Sequence, residues 1–242
     1  MSSLRVTVLG SSSAAGTNLA DPANERYAAT FQTYLRAGRS SHCRVQVVAL
    51  AGIGLYEQQA TGYSTPANRV GACPVNTGVN ITFALAQKPQ VLILHHPAGN
   101  LPECLSQWSI TTEAGLQNFI DTEQMGLVAN IKTLCDTARC EFYVLSPHPL
   151  LESVLSQAQI DSNYVLGGQL YFRDALVSAY GARCLDYWPL VAGGDGYGVA
   201  GTMLVDGNHL NTTGIAAGPE AVLEAAGFPR LHNARTPLDI DL

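Results

Sequence analysis

Arg5-Val6-Thr7-Val8-Leu9 runs directly into Gly10-Ser11-Ser12-Ser13-Ala14-Ala15-Gly16 near the start of the chain, and this junction decides the fold. The first five residues read as a strand, rich in β-branched and apolar side chains and closed by a loop of small ones. Arg44–Leu50, Val91–Leu94, Glu141–Leu145 and Arg183–Tyr187 repeat that form. The first four of the five segments are almost continuously apolar, as strands covered on both faces should be. Between them lie segments of helical character: Ala23–Ala37, Thr77–Ala86, Glu113–Arg139, Ser162–Tyr180 and Ile215–Ala226. In the third, Leu116, Phe119, Ile120, Met125, Leu127, Val128, Ile131 and Leu134 approximate a helical stripe. Strands alternating with helices predict an α/β fold, a three-layer α/β/α sandwich around a five-stranded parallel sheet. With no internal repeat and no linker, residues 1–242 read as one domain, ending in an irregular tail over 228–242.

Composition narrows the partners. The chain is 47% hydrophobic with a net charge of −6, which suits a well-filled core. Its only lysines are Lys88 and Lys132, and the arginines are scattered, so no basic stripe is available to a nucleic acid. No apolar run approaches the roughly 20 residues that cross a bilayer. The strand at Val6 also leaves no room for a signal peptide in the chain as given. Six cysteines without a CxxC pair argue against a thiolate zinc site. They are compatible with an extracytoplasmic location and at least one disulfide. Cys140–Cys184, Cys135–Cys140 and Cys73–Cys104 are the pairings considered, and the sequence does not choose among them.

Two segments carry chemistry. In open parallel sheets, ligand sites form beyond the carboxyl ends of the strands. Ser12 follows the first strand there, in a loop whose small residues let a substrate approach closely. The same loop could instead cradle a phosphate or merely turn the chain. Near the other end, Asp206-Gly207-Asn208-His209 places a carboxylate three residues before a histidine. In a turn, such a carboxylate can hold Nδ1–H and leave Nε2 free to take a proton from a hydroxyl. A serine needs such a base to become an effective nucleophile.

Read together, these segments resemble the SGNH/GDSL hydrolases, in the branch whose first motif reads GSS followed by small residues. Leu9-Gly10-Ser11-Ser12-Ser13-Ala14-Ala15-Gly16-Thr17 is similar to the nucleophile motif, and Val47-Val48-Ala49-Leu50-Ala51-Gly52-Ile53-Gly54 resembles the second. Leu145-Ser146-Pro147-His148-Pro149 resembles the loop after the fourth strand, and Val205-Asp206-Gly207-Asn208-His209-Leu210-Asn211 the last motif. Ser11 replaces the usual aspartate. The third motif departs further. In His95-His96-Pro97-Ala98-Gly99-Asn100, alignment on Pro97 sets Gly99 at the family's asparagine, and a one-residue shift sets Asn100 there.

The resemblance implies a serine esterase that needs no cofactor, with Ser12, Asp206 and His209 as catalytic triad. It further implies an oxyanion hole of the Ser12 and Gly54 N–H groups with Asn100, the shifted alignment being adopted. The absence of a long apolar lid points to short acyl esters, with acetyl on a sugar as the specific expectation. An acyltransferase on the same fold and a catalytically weakened carbohydrate- or partner-binding module are the alternatives. His95, His96 and His148 follow strands and are expected to line the pocket. Consecutive side chains diverge on an extended chain, so the His95-His96 pair is not read as a metal site. Gln58–Gly78 and Leu101–Thr112 are expected to border the pocket. Trp108 and Trp188 are expected to pack, though Trp108 lies where it could reach substrate. Oligomeric state is not legible.

Overall fold

A computed structural model describes residues 4–38, 42–69, 74–96 and 99–226. The tail expected over 228–242 lies outside them. Five strands form one parallel sheet: β1 (Arg5–Gly10), β2 (Arg44–Ala49), β3 (Val91–His95), β4 (Glu141–Leu145) and β5 (Cys184–Leu185), in the order β2-β1-β3-β4-β5. The three central strands are buried along nearly their whole length, which their continuous apolar character foretold. β2 differs. It lies at the edge and exposes Arg44 and Gln46, so it alternates rather than being covered on both faces. β5, the other edge, is only two residues long, shorter than the expected Arg183–Tyr187.

Alternation along the central strands divides the core into two layers. Leu9, Leu92, Leu94, Phe142 and Val144 face one side, where they join Ile81, Leu116, Phe119, Ile131, Phe172 and Leu176. Val6, Val8, Val91, Ile93, Tyr143 and Leu145 face the other, with Tyr27, Phe31, Leu35, Ile215 and Leu223. Helices on both faces of a parallel sheet make the three-layer α/β/α sandwich.

Helix boundaries moved for local reasons. Extended backbone at Arg26 splits the first into Pro22–Glu25 and Tyr27–Gly38. The Asn80 side chain caps the second by accepting from the Phe83 N–H, so it starts at Ile81 rather than Thr77. Asn163, at φ 47°, stops the chain just before Tyr164, and the Asn211 side chain caps a helix that starts at Thr212. The helix read over Glu113–Arg139 is widened by a π-turn at Ile120–Gln124, a second π-turn occupies Tyr164–Gln169, and a third spans Ala216–Glu220. An inserted residue of this kind turns side chains that a regular ladder would aim elsewhere, and such turns often mark functional sites.

The described cysteines, Cys43, Cys104, Cys135, Cys140 and Cys184, are buried free thiols, which departs from the expected bridge; Cys73 lies outside the described residues. Sheet register rules out the Cys140–Cys184 pairing directly. Cys184 pairs with Val144, so Cys140 lies four residues away along the neighbouring strand. At about 3.3 Å per residue that is far beyond disulfide reach.

Gly10 ends β1 where the chain has no room for a side chain. A β-carbon there would fall 2.5 Å from the Ala14 Cβ and 2.7 Å from the His95 carbonyl oxygen. Because both neighbours are held by backbone, Gly10→Ala should destabilise the protein by about 2 kcal/mol or more. The expected drop in Tm is about 4–8 °C. An unchanged melting temperature would mean that the strand ends are looser than this packing requires.

Candidate active site

A cleft of about 530 Å³ opens beyond the carboxyl ends of the strands. Ser12 lines it as the first residue of a short helix, Ser12–Ala15. Its wall also carries Asp206, Asn208 and His209 from the C-terminal segment, Ala51 to Ile53 after β2, and Gly99, Pro102 and Glu103 after β3. His148, Tyr164 and Gln169 follow β4. Sequence reasoning placed this border on Gln58–Gly78 and Leu101–Thr112. Of these, Pro102 and Glu103 reach the cleft, and Ala51 to Ile53 take the place expected of the first segment.

The Asp206–His209 turn is tightly knitted. One carboxylate oxygen of Asp206 accepts from the backbone N–H groups of Asn208 (2.9 Å) and His209 (3.0 Å). The other accepts from His209 Nδ1 at 2.8 Å and from the Asn18 amide at 2.7 Å. Burial works against the charge, but these donors outweigh it and hold the Asp206 carboxyl well below the usual carboxylate range. With Nδ1 committed as a donor, His209 Nε2 is the basic nitrogen, and it is buried without a hydrogen-bond partner. Ser12 and this imidazole therefore share one cleft wall, with the ring nitrogen unspent. Asn18 was not anticipated; nothing local marks a residue that far from Asp206 in sequence.

Gly54 and Asn100 also come together. The asparagine side chain lies so close over Gly54 that a β-carbon there would meet its Nδ2 at 2.0 Å. Gly99 lines the cleft with φ 56°, while the Asn100 side chain is the one over Gly54. Asn100 Oδ1 accepts from the Tyr56 N–H (3.1 Å), and its backbone N–H donates to Gln124 Oε1 (3.2 Å), supplied by the first π-turn. Both donors of interest meet a carboxylate. Glu57 Oε2 accepts from the Gly54 N–H at 2.8 Å and from Asn100 Nδ2 at 3.4 Å.

The three histidines part company. His148 lines the cleft as expected. His95 and His96 do not border it, and both are buried; His95 touches a side recess of about 10 Å³ shared with Ser13 and His209. The reason is position: β3 is a central strand, so its end is roofed by neighbours. His96 Nε2 meets Gln58 Oε1, and His95 lies between two tyrosines. Trp108 packs against Tyr56 and Phe119 beneath Arg69, away from the cleft. No group of three or more metal-ligating side chains occurs among the described residues.

His95 belongs to a buried relay. His148 Nε2 lies 2.8 Å from the Asn208 carbonyl, which can only accept, so Nε2 carries the proton. His148 Nδ1 then accepts from Tyr187 Oη (3.1 Å), whose oxygen accepts from His95 Nε2 (2.8 Å). His95 Nδ1 accepts from Tyr27 Oη at 2.9 Å, and every donor is used. The relay requires neutral rings. Burial lowers the pKa of His148 to about 4 and that of His96 to about 3, and holds His95 well below its ordinary value.

No family model and no curated protein matches the sequence. Solved structures do match. A lipase from a goat rumen metagenome superposes with a TM-score of 0.63 at 15% identity, over 95% of this chain and 100% of that one. A protein from Desulfitobacterium hafniense DCB-2, assigned provisionally to the G-D-S-L lipolytic family, gives 0.57 at 13% identity, over 92% and 97%. A two-domain esterase active on acetylated mannans gives 0.52 at 14%, over 93% of this chain and 48% of that one. The chain thus has the fold of the SGNH/GDSL hydrolases. No helix among the described residues is long and apolar enough to cross a membrane.

Stability should follow the relay's protonation. His148 is neutral in the fold down to about pH 4, whereas an unfolded histidine titrates near 6.5. The unfolded state therefore takes up the proton first, and stability rises with pH across that window. It is complete above about pH 6.5 and is lost as the pH falls towards 4, by about 3 kcal/mol from His148 alone. Calorimetric melts from pH 8 to pH 4.5 should show a plateau and then a steep fall in Tm. A flat profile would contradict the buried neutral rings.

Proposed function

We propose that this chain is a serine esterase acting by two-step acyl transfer. The observation that carries the reading is His209, bound through Nδ1 to Asp206 and unpartnered at Nε2 in the cleft that Ser12 lines. Ser12 Oγ attacks the ester carbonyl carbon as its proton passes to His209 Nε2. Asp206, kept ionised by its four donors, fixes the tautomer and stabilises the imidazolium. Collapse of the tetrahedral intermediate expels the alcohol, which takes that proton. Water then attacks the acyl-enzyme with the same histidine as base, and the acid leaves. The Ser12 and Gly54 N–H groups and the Asn100 amide are the donors for the oxyanion. The fold's likeness to lipolytic and ester-cleaving enzymes supports the reading.

Ser12→Ala should lower p-nitrophenyl acetate hydrolysis by at least about 10³-fold, since the triad acts as a unit. A fluorophosphonate probe should label Ser12, as read by peptide mass spectrometry. Unchanged turnover in a folded Ser12→Ala protein would end the esterase reading. Binding of a sugar without any labelling would favour the recognition module.

The substrate reading is a short acyl ester, acetyl above all, on a hydroxyl-rich alcohol such as a sugar. Two cleft residues support it. Gln169, only 2% exposed, holds an Oε1 without a partner, and Glu103 Oε2 is likewise buried and unpartnered. Burial pushes the Glu103 carboxyl up to about 6; its own backbone N–H acts against this, and the nearby Glu57 charge adds to it. Acceptors left unpaired cost about 1–3 kcal/mol each, so this wall favours a ligand that brings hydrogen-bond donors. An alkyl chain brings none, and a site built to bond hydroxyls discriminates strongly against an analogue lacking them.

The matched esters monoacetylglycerol and propyl acetate differ by two hydroxyls. The ratio of their kcat/KM values should favour the glycerol ester at least about tenfold and fall towards one in Gln169→Leu. That variant loses an unpaired buried acceptor, so its Tm should also rise by about 2–4 °C. A ratio near one in the wild type would remove the polar-alcohol preference while leaving the esterase reading intact.

A further inference from the structure

We infer that Glu57 is a built-in competitor for the oxyanion hole, holding in the resting enzyme the donors that the substrate's carbonyl oxygen must take over. This rests on the esterase reading above. An oxyanion hole is a set of donors converging on one negatively charged oxygen in a water-excluded place. Glu57 Oε2 meets that description. It is an acidic oxygen on a buried residue, at 2.8 Å from the Gly54 N–H and 3.4 Å from Asn100 Nδ2. A backbone amide has one hydrogen, so the Gly54 donor cannot serve carboxylate and substrate equally well at once. Gly54 and Asn100 are absent from the cleft lining, although Ile53 and Gly99 beside them are part of it. Their donors meet the Glu57 carboxylate instead of open space in the cleft.

The carboxylate is also free to leave. Among the described residues no ion pair involves Glu57. What holds its side chain is the hole itself. A substrate oxygen taking the Gly54 and Asn100 donors would release Glu57 at the moment the hole is filled. The exchange is one acceptor for another, with no bond made or broken covalently. It favours the acceptor with the greater negative charge, which on the substrate side is the tetrahedral intermediate rather than the neutral ester.

The test is Glu57→Gln, which keeps size and one acceptor but removes the charge. Charge-assisted bonds are about twice as strong as neutral ones, so the weaker competitor should raise kcat/KM for p-nitrophenyl acetate about threefold or more. Most of the gain should appear in kcat, and fluorophosphonate labelling of Ser12 should quicken in parallel. A change of less than twofold, or a loss, would overturn the proposal and make Glu57 a support that holds Gly54 and Asn100 in place. Crystallography of the phosphonylated wild-type protein gives an answer independent of the variant. The phosphoryl oxygen should lie on the Gly54 N–H with the Glu57 carboxylate displaced. A carboxylate still bound to Gly54 beside a labelled Ser12 would refute the exchange and leave the esterase reading standing. Failure to label Ser12 at all would sink both.

Discussion

The pairing of β1 with β3 at their carboxyl ends is the constraint on which the rest of the site depends. Gly10 stands opposite His95 in register, with the His95 carbonyl too close to Gly10 for any side chain. That contact sets three things at one height. Ser12 starts its helix just above Gly10, Gly99 and Asn100 emerge just above His95, and the His95 ring turns into the interior between Tyr27 and Tyr187. From there the relay reaches Asn208 through His148, so the turn bearing His209 is tied to the same strand end as Ser12. A displaced strand end would move Ser12 and His209 relative to one another, and the proton transfer proposed between them tolerates little misplacement.

The parts of this arrangement legible in the sequence are those fixed by local pattern. Central strands announce themselves because burial on both faces demands unbroken apolar residues, as in Val91–Leu94. Edge strands are less exacting: Arg44 and Gln46 face water, and only two residues of the Arg183–Tyr187 segment pair. The Asp206–His209 spacing is legible because one turn brings the two side chains together. Long-range partners are not. Asn18 reaches Asp206, and Glu57 reaches Gly54 and Asn100, through geometry that no spacing encodes. The His95-His96 doublet misled for a related reason. A histidine ending a central strand looks like a rim residue in sequence, but neighbouring tyrosines and Gln58 roof it over.

The π-turns were equally hidden, because their extra residue leaves the apolar stripe of the Glu113–Thr137 segment almost unchanged. Two of the three act at the site. One delivers Gln124 to the backbone of Asn100, and the other turns Tyr164 and Gln169 into the cleft. Helices straight at both places would bury apolar surface as well, yet would leave Asn100 without that support and the cleft without its polar wall. Stability alone therefore does not account for these two widened turns.

Two sets of buried polar groups stand out, one fully paired and one left open along the cleft. The relay from Tyr27 to Asn208 is fully satisfied, each hydrogen matched to an acceptor, which rigidifies the turn at a cost that its own bonds offset. The groups facing the cleft are left unfinished: His209 Nε2, Glu103 Oε2 and Gln169 Oε1 are buried without partners. A fold under selection for stability alone would pair or replace them, since each weighs against folding. Arg26 Nε, Arg69 Nε, His96 Nδ1 and Gln124 Nε2 are also buried without partners elsewhere in the fold, so what distinguishes the three on the cleft wall is that they border a space a ligand can enter. The Gly54 and Asn100 donors are the instructive exception. They are satisfied by the Glu57 carboxylate, which in the proposed mechanism the substrate's oxygen has to displace.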